Sequence, residues 1–414
     1  MKKITIVVSA LILALTAIRS ADAAFSVGGE NGWQLSTDGI VDVFSTYNST
    51  SKLPGGTRTT SLLEGNTTGY DQRFGVGIGL LPSVVGFNVK APTTNGVDST
   101  VRIGIYPTIQ NKTANRFDTS PNIDFREIFY TAKGAYGELL AGRALNLFMG
   151  KNILTDMTLL TAGVVPGPDF RGGTTLGHIG SGYLYANFSP QIRYTTPDFG
   201  GVKVAIEVGE PYNISPDTAK TNSPRVESEI SYAKANGDTS VQAWLSGLYQ
   251  TAPRSDTAAA RPGKDNESIG GAYGVGVGFS GLNLLFSGYG GKGLGMLSAQ
   301  DGSTLAGLNQ TSVDAGGKER LYWGFLAQAT YKVTSSIMLG ANYGQTRQEE
   351  TDLDSQSRAT LVLLKNSEAA TTSITYNFNK FTQFIFEYTY AQNTWFDSAK
   401  QHSNQFALGT MFYW

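Results

Sequence analysis

The last ten residues, Gln405-Phe406-Ala407-Leu408-Gly409-Thr410-Met411-Phe412-Tyr413-Trp414, split cleanly by parity. Phe406, Leu408, Thr410, Phe412 and Trp414 fall on one side of an extended chain; Gln405, Ala407, Gly409, Met411 and Tyr413 fall on the other. Successive side chains of a strand point to opposite faces. The first set is therefore an apolar, aromatic face and the second a tighter, more polar one, as in a strand with lipid on one side only. Residues 383–391 repeat the split. Phe384, Phe386, Tyr388 and Tyr390 share one face, with Gln383, Ile385, Glu387 and Thr389 on the other. A carboxylate in so aromatic a strand needs water on its side of the sheet.

Working backwards, the same alternation recurs. Phe74, Val76, Ile78 and Leu80 alternate with Arg73 and glycines; Val101, Ile103 and Ile105 alternate with Arg102, Gly104 and Tyr106. Val202 to Val208 alternate with Lys203, Ala205, Glu207 and Gly209, and Tyr273 to Phe279 with Gly274, Gly276 and Gly278. The glycine run 274–278 has no strand–turn–helix context for a nucleotide loop and reads as strand glycines facing a crowded surface. Tight turns (197–201, 236–238, 280–281, 379–380) interleave with long polar connections (48–69, 111–121, 211–224, 251–266, 291–318, 346–358). Such asymmetry predicts an all-β, antiparallel transmembrane barrel. The pattern gives sixteen strands, near 33–47, 70–81, 98–110, 122–134, 136–144, 189–197, 200–210, 225–234, 239–250, 267–279, 281–290, 320–333, 335–347, 359–378, 380–392 and 402–414. Alternation is weakest over 122–144, which suits strands packed on a neighbouring subunit.

Composition agrees. Of 414 residues, 40% are hydrophobic and 11% aromatic, with 50 glycines and no cysteine; the mean hydropathy of −0.15 hides a barrel because the two faces average out. Lys2 and Lys3, the apolar run Ile4–Ile18 and Ala21-Asp22-Ala23 predict a signal peptide over 1–23 and a mature barrel domain over 24–414. Losing Lys2, Lys3, Arg19 and Asp22 moves the formal net charge from −1 to about −3. No basic domain points to nucleic acid, and no Cys/His cluster points to a metal or cofactor.

Residues 145–188 break the pattern. They hold many glycines and prolines but also Phe148, Met149, Ile153, Leu154, Met157, Leu159, Leu160, Val164 and Val165. A segment so apolar packs against something. Inside a wide barrel that is the inner wall; an external lid or a subunit contact are the alternatives.

With these residues in view, the chain resembles the general diffusion porins of the Gram-negative porin family over its whole mature length. The resemblance rests on Tyr70-Asp71-Gln72-Arg73-Phe74-Gly75, on Gly137-Glu138-Leu139-Leu140-Ala141-Gly142-Arg143, on the hairpin Arg193–Gly201, and on terminal Phe412-Tyr413-Trp414. It implies a sixteen-stranded homotrimer in the outer membrane, in contact with lipid and lipopolysaccharide. It also implies that the C-terminal aromatic strand is read by the barrel-assembly machinery, and that a long third loop (145–188) folds inward to a constriction. The terminal Trp departs from the commoner Phe, and the long segment carries only Asp156 and Asp169 where family loops are often more acidic.

A charged constriction orients small polar solutes and disfavours apolar ones. Wall candidates are Arg73, Arg102, Arg126 and Arg143, with Arg102 resting on parity and Arg143 on family position. Asp156 and Asp169 are the loop candidates. Asp38, Asp42, Arg193, Lys203, Glu207, Glu227, Glu229 and Glu387 are expected to line the lumen at other heights. Four arginines against two loop acids predict a mild anion preference. The implied function is a water-filled channel for passive diffusion of small hydrophilic solutes and ions. The alternatives are a substrate-specific channel with a binding site in the lumen, for which Phe148, Phe170, Tyr183 and Tyr185 could form an aromatic track, and a structural barrel without transport. Enzymatic activity is not expected: His178 lies near Ser181, but no Gly-x-Ser-x-Gly context or third group completes a nucleophilic site.

Overall fold

The computed structural model describes residues 25–59, 61–63, 65, 68–109, 123–167, 174–219, 221–299 and 312–414. The expected signal peptide, Asp169 and Phe170 lie outside these residues. Within them, eighteen strand segments join one sheet. The first nine are β1 (Phe25–Gly28), β2 (Gln34–Thr50), β3 (Asp71–Gly77), β4 (Val84–Lys90), β5 (Asp98–Pro107), β6 (Ile123–Gly134), β7 (Gly137–Leu145), β8 (Phe188–Thr195) and β9 (Val202–Gly209). The second nine are β10 (Arg225–Asn236), β11 (Thr239–Pro253), β12 (Asp265–Phe279), β13 (Leu282–Lys292), β14 (Leu321–Lys332), β15 (Ile337–Glu349), β16 (Leu364–Asn377), β17 (Thr382–Trp395) and β18 (Lys400–Tyr413).

Chain neighbours pair antiparallel, and β18 returns to β2, Tyr413 opposite Ile40 and Ser403 opposite Thr50. The ring closes with sixteen staves. β3 and β4 are two halves of one stave, because they pair with Phe44–Thr50 and Gln34–Ile40 of the same β2. β1 pairs with Leu35–Thr37, on the edge of β2 that β18 has vacated.

Alternation predicts one strand over 70–81 and none at 84–90; the structure divides the stave instead. Residues 78–83 leave the wall. The N–H groups of Leu80 and Leu81 donate to the carbonyls of Thr161 and Leu159 at 3.2 and 3.1 Å. Asp42 accepts from the Gly79 N–H and, at 2.8 Å, from the Ser83 hydroxyl. Pro82 has no N–H to give a ladder. The weak parity of 122–134 also has a local cause: the β5–β6 register shifts between Gly104 and Tyr106. Phe125 and Ile128 are both exposed although their parities differ.

Elsewhere parity and exposure agree. Phe74, Val76, Ile206, Val208, Val275, Val277, Phe384, Phe386, Phe406, Leu408 and Phe412 are exposed, whereas Glu207, Glu387, Gln405, Ala407 and Met411 are buried. The exposed apolar parity is the outer face, and no described helix is long or apolar enough to cross a membrane. Gly274 and Gly276 of β12 sit on the inner parity, opposite Trp244 and Gln242 of β11. A Cβ at Gly274 would stand 2.1 Å from the Trp244 ring, so glycine is the residue that lets the indole lie flat on the wall. Gly274→Val should therefore destabilise the barrel by about 1–3 kcal/mol, the usual cost of overpacking, read as a lower unfolding midpoint in detergent.

At the end of the barrel that carries the long connections, Arg320 makes two 2.7 Å hydrogen bonds to Asp354. Asp354 sits in the short helix α2 (Asp352–Gln356), which Thr351 caps. Burial would raise the Asp354 carboxyl, but Arg320 outweighs it and holds the group below the ordinary carboxylate range. A depressed folded-state pKa adds stability that is complete above about pH 4 and is lost as pH falls through the depressed value. Asp354→Ala should cost about 3–5 kcal/mol by stranding a buried guanidinium, and it should flatten the acid limb of the stability–pH curve.

Candidate functional site

Residues 145–167 and 174–188 run along the inner parity of the wall, and their backbone is held at nearly every step. Leu147 and Phe148 donate their N–H groups to Glu207 and Glu227 at 3.2 and 2.7 Å. Between these carboxylates lies Arg225, fully buried, 2.8 Å from Glu227 and 3.5 Å from Glu207, its guanidinium 4.2 Å from the centre of the Tyr212 ring. The helix α1 (Gly150–Thr155) follows a left-handed Met149. Trp244 Nε1 donates to Asn152 at 3.2 Å, and Lys151 stands 3.5 Å from Glu229.

Beyond α1, Gln328 accepts from Met157 N–H at 2.6 Å and donates to the Thr155 carbonyl at 3.2 Å. Glu387 accepts from Gly163 N–H at 2.6 Å and from the Thr161 hydroxyl. Gln405 takes the Val165 N–H and returns a bond to the Val165 carbonyl, at 2.8 and 2.9 Å. On the way back, His178 meets Asn342 at 2.8 Å and Gly182 N–H donates to Thr346 at 3.2 Å. The apolar side chains of the segment, among them Phe148, Ile153, Leu159, Val164 and Leu184, join a buried cluster with Leu248, Tyr289, Tyr322 and Leu326 of the wall. Wall contacts thus extend from β9 round to β3.

The remaining sector, on β2 and β4–β8, carries most of the wall residues picked from sequence. Arg102 is clamped between two carboxylates: Asp38 at 2.9 and 3.1 Å, and Glu127 at 2.7 Å. Asn88 bonds both Arg102 and Asp38, and Tyr106 donates to Glu127 at 2.6 Å. Gly86 makes room: a Cβ there would lie 2.6 Å from Asp38 Oδ1 and 2.8 Å from the Arg102 guanidinium. Arg126 pairs with Asp124 at 2.6 Å and lies 5.5 Å from the centre of the Tyr106 ring. Arg193 donates to the Leu145 carbonyl at 3.2 Å, and its charge acts on Glu207 and Glu229. Lys203 lies on β9, outside this sector, opposite Ser231.

Other candidates stand apart from this group. Arg73 donates to the Pro166 carbonyl. Arg143 pairs in register with Ile128 and Pro190, beside Gly142 at φ 136°. Together with Arg126 its charge reaches the Tyr185 phenol, which burial pushes above its ordinary pKa against those two arginines. Asp156 turns to the wall of β15, accepting from Thr158, Tyr183 and Asn342; burial and this carboxylate push the Tyr183 phenol well up. Asp42 and Glu387 are buried acceptors. Sequence reasoning missed Glu127, Asp124, Asn88, Gln328 and Gln405. Parity could have flagged Gln405, but Glu127 is concealed by the β6 register shift.

His178 Nδ1 faces the carbonyl of Ser181 at 3.1 Å, not its hydroxyl, so the two residues form no nucleophile–base pair. A closed antiparallel barrel, apolar outside and lined with charge inside, defines an outer-membrane channel. The chain belongs to the Gram-negative porin family, whose model matches residues 8–411. It therefore resides in the outer membrane of a Gram-negative bacterium and is a channel, not an enzyme. It is similar in fold to the outer membrane channel DcaP of Acinetobacter baumannii, at 15% identity and a TM-score of 0.66 over 94% of this chain and 100% of that one. It is also similar to an anion-selective porin from Comamonas acidovorans, at 15% identity and 0.60 over 92% and 100%. A trimer form of OmpT from Vibrio cholerae shows 13% identity and 0.52 over 93% and 100%. No curated protein matches the sequence.

The carboxylates beside Arg102 have a measurable consequence. A unit charge about 8 Å from a passing ion in a water-like medium changes its energy by about 0.5 kcal/mol, about twofold in permeability ratio. Arg102→Ala leaves Asp38 and Glu127 uncompensated and should shift the reversal potential in asymmetric salt toward cations. Glu127→Gln should shift it toward anions by a similar amount.

Proposed function

We propose that the protein forms a water-filled channel through which small hydrophilic solutes and ions cross the outer membrane by passive diffusion. One observation carries this reading. On the inner wall carried by β2 and β4–β7, charged side chains keep contact with solvent: Asp38 is 33% exposed, Lys133 40% and Asp124 52%. Inward-pointing ions that stay wet need an aqueous space beside them. Their signs alternate closely, as Asp38–Arg102–Glu127, Arg126–Asp124 and Lys133–Glu138. Such a lining favours hydrated, polar solutes over apolar ones and discriminates by size and charge without a tight binding site.

Three copies would assemble side by side, in keeping with the trimer form of the Vibrio cholerae relative, with lipid and lipopolysaccharide around the trimer. The C-terminal strand, which closes the ring on β2, would present Phe412-Tyr413-Trp414 to the barrel-assembly machinery. Residues 145–188 would set the narrowest point, with the wall charges opposite. Single-channel recording of the refolded protein in a planar bilayer tests all but the assembly step. Ohmic openings in groups of three, indifferent to sugars, amino acids and small organic anions, are expected. Blockade by one solute at low concentration would move the assignment to a substrate-specific channel, and a silent bilayer would defeat the channel reading.

A further inference from the structure

The connection after β13 also turns into the barrel. Gly293, at φ 64°, bends the chain inward, and a Cβ there would stand 2.2 Å from the Glu267 carbonyl oxygen, so the bend requires glycine. The Ser268 hydroxyl donates to the Gly293 carbonyl at 2.6 Å, and the Gly293 N–H donates to the Arg320 carbonyl at 2.9 Å. One 3₁₀ turn follows, Leu294–Leu297, and residues 293–299 are buried throughout. Leu294 lies over a notch in the inner wall made by Gly270 of β12 and Gly291 of β13: Cβ atoms there would come within 3.0 and 2.7 Å of its Cδ1. Phe148, from the segment after β7, shares that notch, its Cζ 2.9 Å from where a Gly270 Cβ would stand. Leu294, Met296 and Leu297 join the same buried cluster as Phe148, Tyr183 and Leu184. The Leu297 carbonyl accepts the Tyr185 N–H at 2.9 Å.

We propose that residues 293–299 are a second calibre-setting element of the channel: they fill the lumen beside β12 and β14 and fix how far residues 183–186 stand from the charged wall of β6 and β7. A barrel of this many strands leaves an aqueous interior, and any element packed inside it removes cross-section. The turn Leu294–Leu297 lies against β12 and β14. The charges that act on the Tyr185 phenol, Arg126 and Arg143, come instead from β6 and β7. Volume removed at Leu294 and Leu297 therefore leaves a void on the β12 side, and neighbours relax into such a void in part, drawing 183–186 away from Arg126. Volume added beneath Leu294 acts the other way, because a close-packed interior transmits strain. This role rests on the channel reading above and concerns the width of the channel, not its existence.

Single-channel conductance, and the size limit for neutral polyethylene glycols, are read on the full-length protein in planar bilayers. Openings of the wild type establish the channel first, so failure of that reading is seen separately; a silent wild type would defeat it and this role with it. Since ion flow follows the cross-section at the narrowing, the double variant Leu294→Ala/Leu297→Ala should raise conductance about 1.5-fold and admit larger polymers. Gly270→Ala, whose new Cβ crowds Phe148 and Leu294, should lower conductance. If the double variant does not fold, Leu294→Ala alone and Gly270→Ala carry the measurement. Leu364→Ala is the control. It thins a separate buried cluster with Val362 and Trp395, so it should lower the unfolding midpoint and leave conductance unchanged. Leu294 and Gly270 variants that match wild type, or that shift conductance in the same direction, overturn the proposal, as does an equal change in Leu364→Ala.

Discussion

A chain that crosses hydrocarbon in strands must satisfy every N–H and C=O within the protein, and a sheet does so only by closing on itself. The seam where β18 meets β2 is where that requirement is met. The ladder runs from Ser403–Thr50 to Tyr413–Ile40. It ends with a reciprocal pair in which Gly39 and Trp414 exchange N–H···O bonds at 3.0 and 3.2 Å. A Cβ at Gly39 would stand 2.1 Å from the Trp414 ring, so the first strand offers a notch that admits the bulk of a terminal indole. The larger aromatic in place of the family's usual Phe is thus matched by an absence of side chain across the seam. β1 continues the same edge where β18 has run out.

Closure creates an inner face, and that face has to be either wet or covered. The structure does both. Over β9–β18 the wall presents small residues, amides and carboxylates, and the segment after β7 lays its backbone across them. Gln328 and Gln405 each offer an acceptor and a donor to that backbone. An unpaired buried amide costs about 1–3 kcal/mol, so a non-repetitive segment can sit inside a barrel only where the wall supplies partners at its own irregular spacing. The apolar character of residues 148–165 follows from the same arrangement: their side chains pack on Leu248, Tyr289 and Leu326, so hydrophobic burial supports what the hydrogen bonds position.

The fold was legible because parity is a local signal. Phe384/Phe386 against Glu387, or Val275/Val277 against the β12 glycines, can be read without knowing any neighbour. The stave β3–β4 was not, because Leu80-Leu81-Pro82 interrupts alternation for a reason lying 80 residues away, at Leu159 and Thr161. The lining was half legible. Parity placed Arg102 correctly among inward residues, but its partners are set by pairing. Asp38 arrives from β2 across Gly86, Glu127 arrives on β6 in the ladder that pairs it with Gly104, and the slip beyond Gly104 turns Asp124 to the face of Tyr106. Asp156, read as a charge presented to the arginines, is turned to Asn342 and Tyr183, an orientation that nothing in its neighbouring residues encodes.

That last difference changes how the charge pattern of the channel should be understood. A count of arginines against loop acids treats each as an isolated charge facing open water. A guanidinium on the wall of a narrow, low-dielectric enclosure loses part of its hydration, and a carboxylate at hydrogen-bond distance restores it. Arg102 and Arg126 both take that course, within their own wall. The field a solute meets is then one of close, alternating dipoles rather than a basic wall opposing an acidic loop. Its sign at any height depends on which partner reaches further into the water, and so on the β5–β6 pairing that sets Glu127 beside Arg102 and, past its slip, Asp124 beside Tyr106. Strand pairing, which closes the barrel, therefore also sets the electrostatics of its interior.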